Sequence, residues 1–370
     1  MLQTKGAICS ILAAAALTLS PLASFALPQK PPESNAQVIL LEALPQSQTA
    51  AIQALGAELG KMTSEGSGNI RSVDAKGFKG VRSWDTVLKQ ERAVDGLLGM
   101  KEGEILASVG AGNQAQAKKL LEGIRADIAA IDAAAKKESR PAVVEAQVAA
   151  LSKVDRLGVM MLKGKAPFAV PEDEAPGVPR LYGRGYAEIT VKAAKGGRVG
   201  IMKATLDGVN APVSVGNFAD LAKRGFYDGT PVSFSDESTV MMGLPAGKAG
   251  FEANGAVRRV PLEIRAEGDS DISYEESLEE QGRFKAKPVL PFSAYGTLAY
   301  NHPPDNSNGA SSQFWALKFD PSYTPAGLNT LDGAYTVFGY VIEGADLLDD
   351  LDVGDQIVSV KIVDSLELKP

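Results

Sequence analysis

The sequence predicts an α+β chain in two parts, an N-terminal helical bundle followed by a closed antiparallel β-barrel capped by two helices. Three observations predict it. Residues 34–163 carry apolar side chains at helical spacing, residues 164–183 hold four prolines, and from Arg184 onward apolar residues recur at the period of a strand. The length of 370 residues fits two compact domains, and 45% apolar residues are enough to bury real cores.

The helical half is read from its stripes. In "NQAQAKKLLEGIRADIAAIDAAAKK", Ala117, Leu121, Ile124, Ile128, Ile131 and Ala135 step by three and four, so they share one helix face. "AAIQALGAELGKM" repeats this with Ile52, Leu55, Leu59 and Met62. Pro141 suits the first turn of a further helix, with Val144, Val148, Leu151 and Val154 as its stripe. A fourth helix is expected from Val81 to about Val109, weakened by Gly96, Gly99 and Gly103. The glycine-rich stretch "SEGSGNIRSVDAKGFKG" joins it to the helix before. Such a stripe serves a partner helix or the bundle's own core, and amphipathic helices usually face inward.

The four prolines of "GKAPFAVPEDEAPGVPRLYG" restrict themselves and the residues before them, which predicts an extended, stiff linker. Beyond it, "YAEITVKA" and "GRVGIMKATL" alternate as strands do. "VSVGNFADLAKRG" places Val215, Phe218 and Leu221 on one helix side, and Asp346 to Leu351 fits a second short helix. Short apolar runs recur between and after them ("STVMM", "VRRVPLEI", "GTLAY", "SQFWALKF", "YTVFGYVI", "QIVSVKIVD"). Many short strands with two helices point to a capped barrel.

Residues 1–26 read as a signal peptide. Lys5 supplies a short basic start, Ala7 to Leu22 an apolar stretch, and Ser24-Phe25-Ala26 the small residues of a cleavage site. The expected parts are then a bundle over 27–163, a linker over 164–183 and a barrel over 184–370. Cys9 lies in the leader without the surroundings of a lipid-attachment motif, so the mature chain would hold no cysteine and no disulfide. No later stretch is long and apolar enough to span a bilayer.

Composition excludes several chemistries. Thirty-eight lysines and arginines against 45 acids give a formal charge of −7, which argues against a general nucleic-acid binder. One cysteine and one histidine cannot build a zinc cluster, and His302 sits in a polar loop, which argues against a Ser-His-Asp centre. No cofactor or metal is expected. The six acids between Gly268 and Gln281 lack the ligand spacing of a calcium loop and read as a solvated face.

Four signals in the C-terminal half occur in a recognisable order: "APVSVGNFADLAKRGFYDGT", "SSQFWALKF", "LDGAYTVFGYVIEG" and "VGDQIVSVKIVD". Together, over about 180 residues, they resemble the cyclophilin family of peptidyl-prolyl isomerases. With "PFAVPEDEAPGVPRLYGRG" and the insertion "YEESLEEQGRFKAKPVLPF", the whole mature chain is similar to the family's multidomain branch in the thylakoid lumen of cyanobacteria and chloroplasts. The resemblance implies export to the thylakoid lumen or periplasm, a bundle resting on the barrel, and support of photosystem II assembly and maintenance. The partners it implies are proline-containing lumenal polypeptides or photosystem II subunits.

Isomerisation must break amide resonance, a barrier of roughly 18–20 kcal/mol. The resemblance implies an apolar pocket for the proline ring, an arginine for the imide nitrogen and a glutamine for the carbonyl. The family's F-H-R triplet aligns with Val232-Ser233-Phe234, which puts Phe234 at the arginine position. Without a gap to Gly243, Met242 takes the glutamine position. Trp315 replaces the second Phe of the Q-F-F strand, Thr330 the tryptophan before L-D-G, and Tyr335 the histidine after it, while Gln313, Phe314 and Leu331 match. Phe234, Met242 and Trp315 are expected on the groove wall and Met241 in the core, and Phe314 fits either. Arg258 and Arg259 suit surface ion pairs better than the missing donor's role. Three readings follow: a binding factor with weak or no turnover, an isomerase with a modified groove, and a scaffold acting through its bundle.

Overall fold

The computed structural model describes residues 33–62, 84–171, 173–194, 197–318 and 330–370. The expected signal peptide and the glycine-rich connection at 64–80 lie outside them. Among the described residues, five α-helices form the N-terminal half: α1 (Ala36–Glu42), α2 (Gln46–Gly60), α3 (Trp84–Ser108), α4 (Gln114–Lys136) and α5 (Arg140–Met161). Asn35 starts α1 by accepting the N–H groups of Gln37 and Val38, and proline in the first turn starts α5. The stripes face inward: Ile52, Leu55 and Leu59 of α2 meet Leu121, Ile124, Ile128 and Ile131 of α4 in one core. In α5 the buried side is Val143, Gln147, Ala150, Leu151 and Val154, leaving the expected Val144 and Val148 half-buried. The alanines and Gln147 complete that face, and Gln147 spends its amide on the Leu59 carbonyl at 2.6 Å.

Twelve strands and two helices follow among the described residues. They are β1 (Gly183–Lys192), β2 (Val199–Asp207), α6 (Pro212–Lys223), β3 (Phe234–Ser235), β4 (Thr239–Met242), β5 (Glu252–Ala253), β6 (Ala256–Val257), β7 (Glu263–Ile264), β8 (Ser273–Tyr274), β9 (Thr297–Tyr300), β10 (Phe314–Leu317), β11 (Val337–Glu343), α7 (Leu347–Asp350) and β12 (Gln356–Glu367). Eight of them make one antiparallel sheet in the order β12-β1-β2-β11-β9-β10-β4-β3, curled around a core into which α6 packs. The expected closed barrel is corrected to an open one. Among the described residues, the segment leading into the edge strand β3 meets the start of β12 through a bridge at Pro231 and Gln356 and four backbone bonds, Gly229 N–H to Ile357 O, Ile357 N–H to Thr230 O, Val232 N–H to Asp355 O and Gly354 N–H to Val232 O, and β3 itself has no ladder with β12. Two residues of β3 are too few to build a ladder against the twelve of β12.

Residues 32–370 make one compact unit. The proline-rich stretch lies against it, with Phe168 in the bundle core and Val170, Val178 and Leu181 in the sheet's inner core. The helical half meets the sheet through a buried ionic knot. Arg184 of β1 is fully buried and pairs with Asp207 of β2 and with Asp155 of α5, the latter at 3.1 Å. It also donates to the Leu40 carbonyl at the end of α1, at 2.6 Å. Burial alone would pull this guanidinium down, but the two carboxylates outweigh it and hold it above its ordinary value. Arg265 donates to the Ala43 carbonyl at 2.9 Å, so two barrel arginines finish the C-terminal end of α1.

Candidate peptide groove

The groove begins at a hairpin. Between β3 and β4, Asp236 accepts the N–H groups of Ser238 (2.8 Å) and Thr239 (2.7 Å), and the Asp236 N–H returns to the Thr239 carbonyl at 3.0 Å. Partial burial would raise its carboxyl, but these bonds and the nearby Lys318 hold it below the usual range. At the far end of β4, Gly243 has φ +84°, and a Cβ there would lie 2.7 Å from the Phe314 ring. Only glycine fits that close turn.

Strand register then decides what faces what. Phe234 pairs with Met241, Met241 with Trp315, Trp315 with Ala299, and Ala299 with Val337. These five form one row across the outer face of β3, β4, β10, β9 and β11. Phe314 pairs with Met242 and with Tyr300, and this second row points into the curl. Side chains alternate along a strand, so neighbours in sequence cannot share a face. Met242, assigned by sequence to the glutamine position on the groove wall, is fully buried inside with Phe314. Met241, expected in the core, lies half-buried beside Phe234 on the outer face.

Exposure falls along the outer row. Phe234 is 43% exposed, Trp315 4% and Ala299 0%. The covered end is roofed by the chain itself. Phe292, from the insertion before β9, stacks flat on Trp315 with ring centroids 5.0 Å apart, and Tyr335 meets the indole edge-on at 5.6 Å. Ala36, Ile39 and Leu40 of α1 pack into the same apolar cluster. The Phe292 N–H bonds to the Asp332 carboxylate at 2.8 Å, and the Ser293 hydroxyl to the Glu33 carbonyl at 2.5 Å. Among the described residues the buried Trp315 Nε1–H has no hydrogen-bond partner. Sequence reasoning missed Phe292, because nothing local to "LPFSAY" shows that it lies on an aromatic ring from another strand.

The polar members sit at the open end. Gln313 donates from Nε2 to the Ser233 hydroxyl at 3.1 Å and accepts from the Asn301 amide at 2.7 Å. Leu331 and Tyr335 are half-buried at the rim, and Thr330 is exposed. Arg258 is held by Asp220 at 2.8 Å and lies over the Phe251 ring, while Arg259 bonds to the Gly309 carbonyl at 2.5 Å. Both arginines are thus engaged with α6 and a loop. In the acidic insertion, Asp269 is bound bidentately by Arg283 and is held low by it. Glu263 of β7 accepts the Val213 and Ser214 N–H groups at 3.0 and 2.7 Å, which caps α6. Its burial pushes the carboxyl up to about 7 despite those bonds.

The outer face presents apolar surface at Phe234, Met241 and the rim, with the amides of Gln313 and Asn301 and the hydroxyl of Ser233 at one end. It holds no arginine at the Phe234 position.

The chain is similar to known proteins over both of its halves. Residues 189–366 match the model of cyclophilin-type peptidyl-prolyl cis-trans isomerases, and residues 35–162 that of the PsbQ-like domain of CYP38-like isomerases. A putative thylakoid lumen peptidyl-prolyl cis-trans isomerase of Synechocystis is 38% identical over 76% of this chain and 73% of its own. The chloroplastic isomerase CYP38 of Arabidopsis thaliana is 36% identical over 80% of this chain and 68% of its own. A solved cyclophilin of Cryptosporidium parvum is 20% identical over 50% of this chain and 99% of its own, with a TM-score of 0.36. The relatives place the chain in the thylakoid lumen. It belongs to the cyclophilin-type peptidyl-prolyl cis-trans isomerase family, in the lumenal branch that joins a PsbQ-like helical domain to the cyclophilin sheet.

Proposed function

We propose that this chain is a folding and assembly factor that binds extended, proline-containing lumenal polypeptides, photosystem II subunits among them, with weak or no isomerase turnover. The observation that carries the reading is Phe234. A phenyl ring stands where the family's arginine would donate to the twisting imide, and the residue beside it in register is Met241. Losing a preorganised donor of that kind costs on the order of 10²–10³ in rate. What the open end keeps is apolar surface, and methionine with aromatic rings adapts to varied peptides. The photosystem II assignment rests on the likeness to the lumenal branch.

The test is a proline-isomerisation assay on the mature chain, with binding of the same peptide followed by calorimetry. The expected outcome is binding with a rate at least about a hundredfold below that of an ordinary cyclophilin. A rate within about tenfold would overturn the reading. Phe234→Arg combined with Met241→Gln should restore part of the rate, since both changes lie on the outer face.

A further inference from the structure

His302 is the chain's only histidine. It follows β9, and its ring stacks on Tyr335 with centroids 4.3 Å apart. Both ring nitrogens face carbonyl oxygens, Nδ1 that of Pro303 at 2.9 Å and Nε2 that of Ala334 at 3.0 Å. A neutral imidazole has one donor and one acceptor nitrogen, so it can serve only one of these carbonyls. The other nitrogen would then turn a lone pair toward an oxygen about 3 Å away. Only the ring carrying both protons satisfies the pair.

We propose that His302 is a proton-operated clasp between the loop after β9 and the loop before β11, and that it sets the rim of the outer face. Ala334 is next to Tyr335, and Tyr335 leans on Trp315. With both protons present the clasp is made, and Tyr335 is pinned between imidazole and indole. When the ring carries a single proton, one carbonyl bond is lost and the hold on Ala334 and Tyr335 at the end of the loop is loosened, while Asp332 stays bonded to the Phe292 N–H and the Gly333 carbonyl to the Leu278 N–H. Among the described residues, the other titratable groups of these loops are Tyr335 itself, Asp305 in the exposed turn, and Asp332, which is engaged with the Phe292 N–H. From the packed insertion, Glu275 presents its carbonyl to Asn308, and the Glu263 N–H bonds to Thr336 while its carboxylate caps α6.

The effect of the clasp on peptide binding rests on the proposed function, but the clasp can be read directly. The chain has two tryptophans, so Trp84→Phe leaves Trp315 as the only indole. Its emission should change with pH in step with the single histidine Cε1–H resonance, and the change should vanish in His302→Gln. Exchange of the Ala334 amide, which donates to the Leu331 carbonyl at 3.1 Å, should, corrected for its intrinsic pH dependence, be about tenfold faster on the alkaline side, which corresponds to roughly 1.4 kcal/mol. The His302→Gln control separates this from titration of Glu263. Flat emission and exchange while the histidine resonance titrates would overturn the clasp, and so would an unchanged pH response in His302→Gln. Should the variant fail to fold, agreement between the pH dependence of the histidine resonance and that of the Ala334 amide exchange in the parent decides. A working clasp in a chain that binds no proline peptide would remove the proposed function and leave the clasp standing.

Discussion

Met242 and Met241 are adjacent in β4 and serve opposite faces of one sheet. Met242 lies inside with Phe314 and Tyr300, where Phe218, Tyr227 and Phe338 surround Phe314 at ring distances of 5.3–6.2 Å. Met241 lies outside in a row that runs from an exposed Phe234 to a covered Trp315. The inner face is closed by the fold itself, through α6 and the Glu263 cap. The outer face is covered by separate pieces of chain, α1 and the Phe292 segment, and only part of the way. The difference separates what these strands need for folding from what they leave for a ligand.

The largest expected effect tests the inner face. Phe314→Ala removes a ring with no solvent exposure and leaves a cavity among aromatic neighbours. The cost should be about 3–5 kcal/mol, read from urea denaturation. A cost under about 1 kcal/mol would mean that the inner row is not the core it resembles.

Much of this division was legible in the sequence and some was not. The stripes of α2 and α4 were readable because one face of each is buried against one core, which is what a helical period reports. In α1, "AQVILLE" hides its role because two faces are buried against different partners. Val38 and Leu41 enter the bundle core while Ile39 and Leu40 enter the cluster on the outer face. A continuous apolar run carries no period to read. Motif order puts Phe234 at the arginine position, and the structure adds that it is exposed on the outer face. The facing of Met241 and Met242 was not legible, because counting back from one glycine gives position along a strand but not which side a residue takes. The knot of Arg184, Asp155 and Asp207 was also invisible, since its members come from three elements.

The next effect concerns the cap that closes the inner face. Glu263 has a folded-state pKa near 7 against an ordinary 4.5, with burial as the main cause. Above pH 7 the carboxylate is charged in both states and its burial opposes folding. As pH falls through 7 the folded chain takes up a proton that the unfolded chain does not accept until about 4.5. Stability should therefore rise on acidification between those limits, by on the order of 3 kcal/mol at most. Asp269, held low by Arg283, acts in the opposite sense but below that window. Denaturant midpoints between pH 5 and 8 should show the rise, and Glu263→Gln should flatten it. A rise that persists unchanged in Glu263→Gln would assign it to another group.

The smallest effect is the sharpest comparison of the two faces, because it makes the same chemical change at adjacent positions. Met242→Gln places an amide in the aromatic interior, where a buried polar group without a partner costs about 1–3 kcal/mol. Met241→Gln places it on the half-buried outer face, beside Phe234 and within the strand edge that water reaches. Substitutions of that kind usually stay within about 0.5 kcal/mol. Paired denaturation curves should thus separate the two variants by 1 kcal/mol or more. Equal costs would mean that the facing of β4 is not fixed as the register with Phe234 and Trp315 implies. The choice of Met241 as the partner for a restored arginine at Phe234 would then fall with it. With the expected inequality, any gain in isomerase rate in the Phe234→Arg and Met241→Gln variant can be assigned to the outer face, because the inner core remains undisturbed.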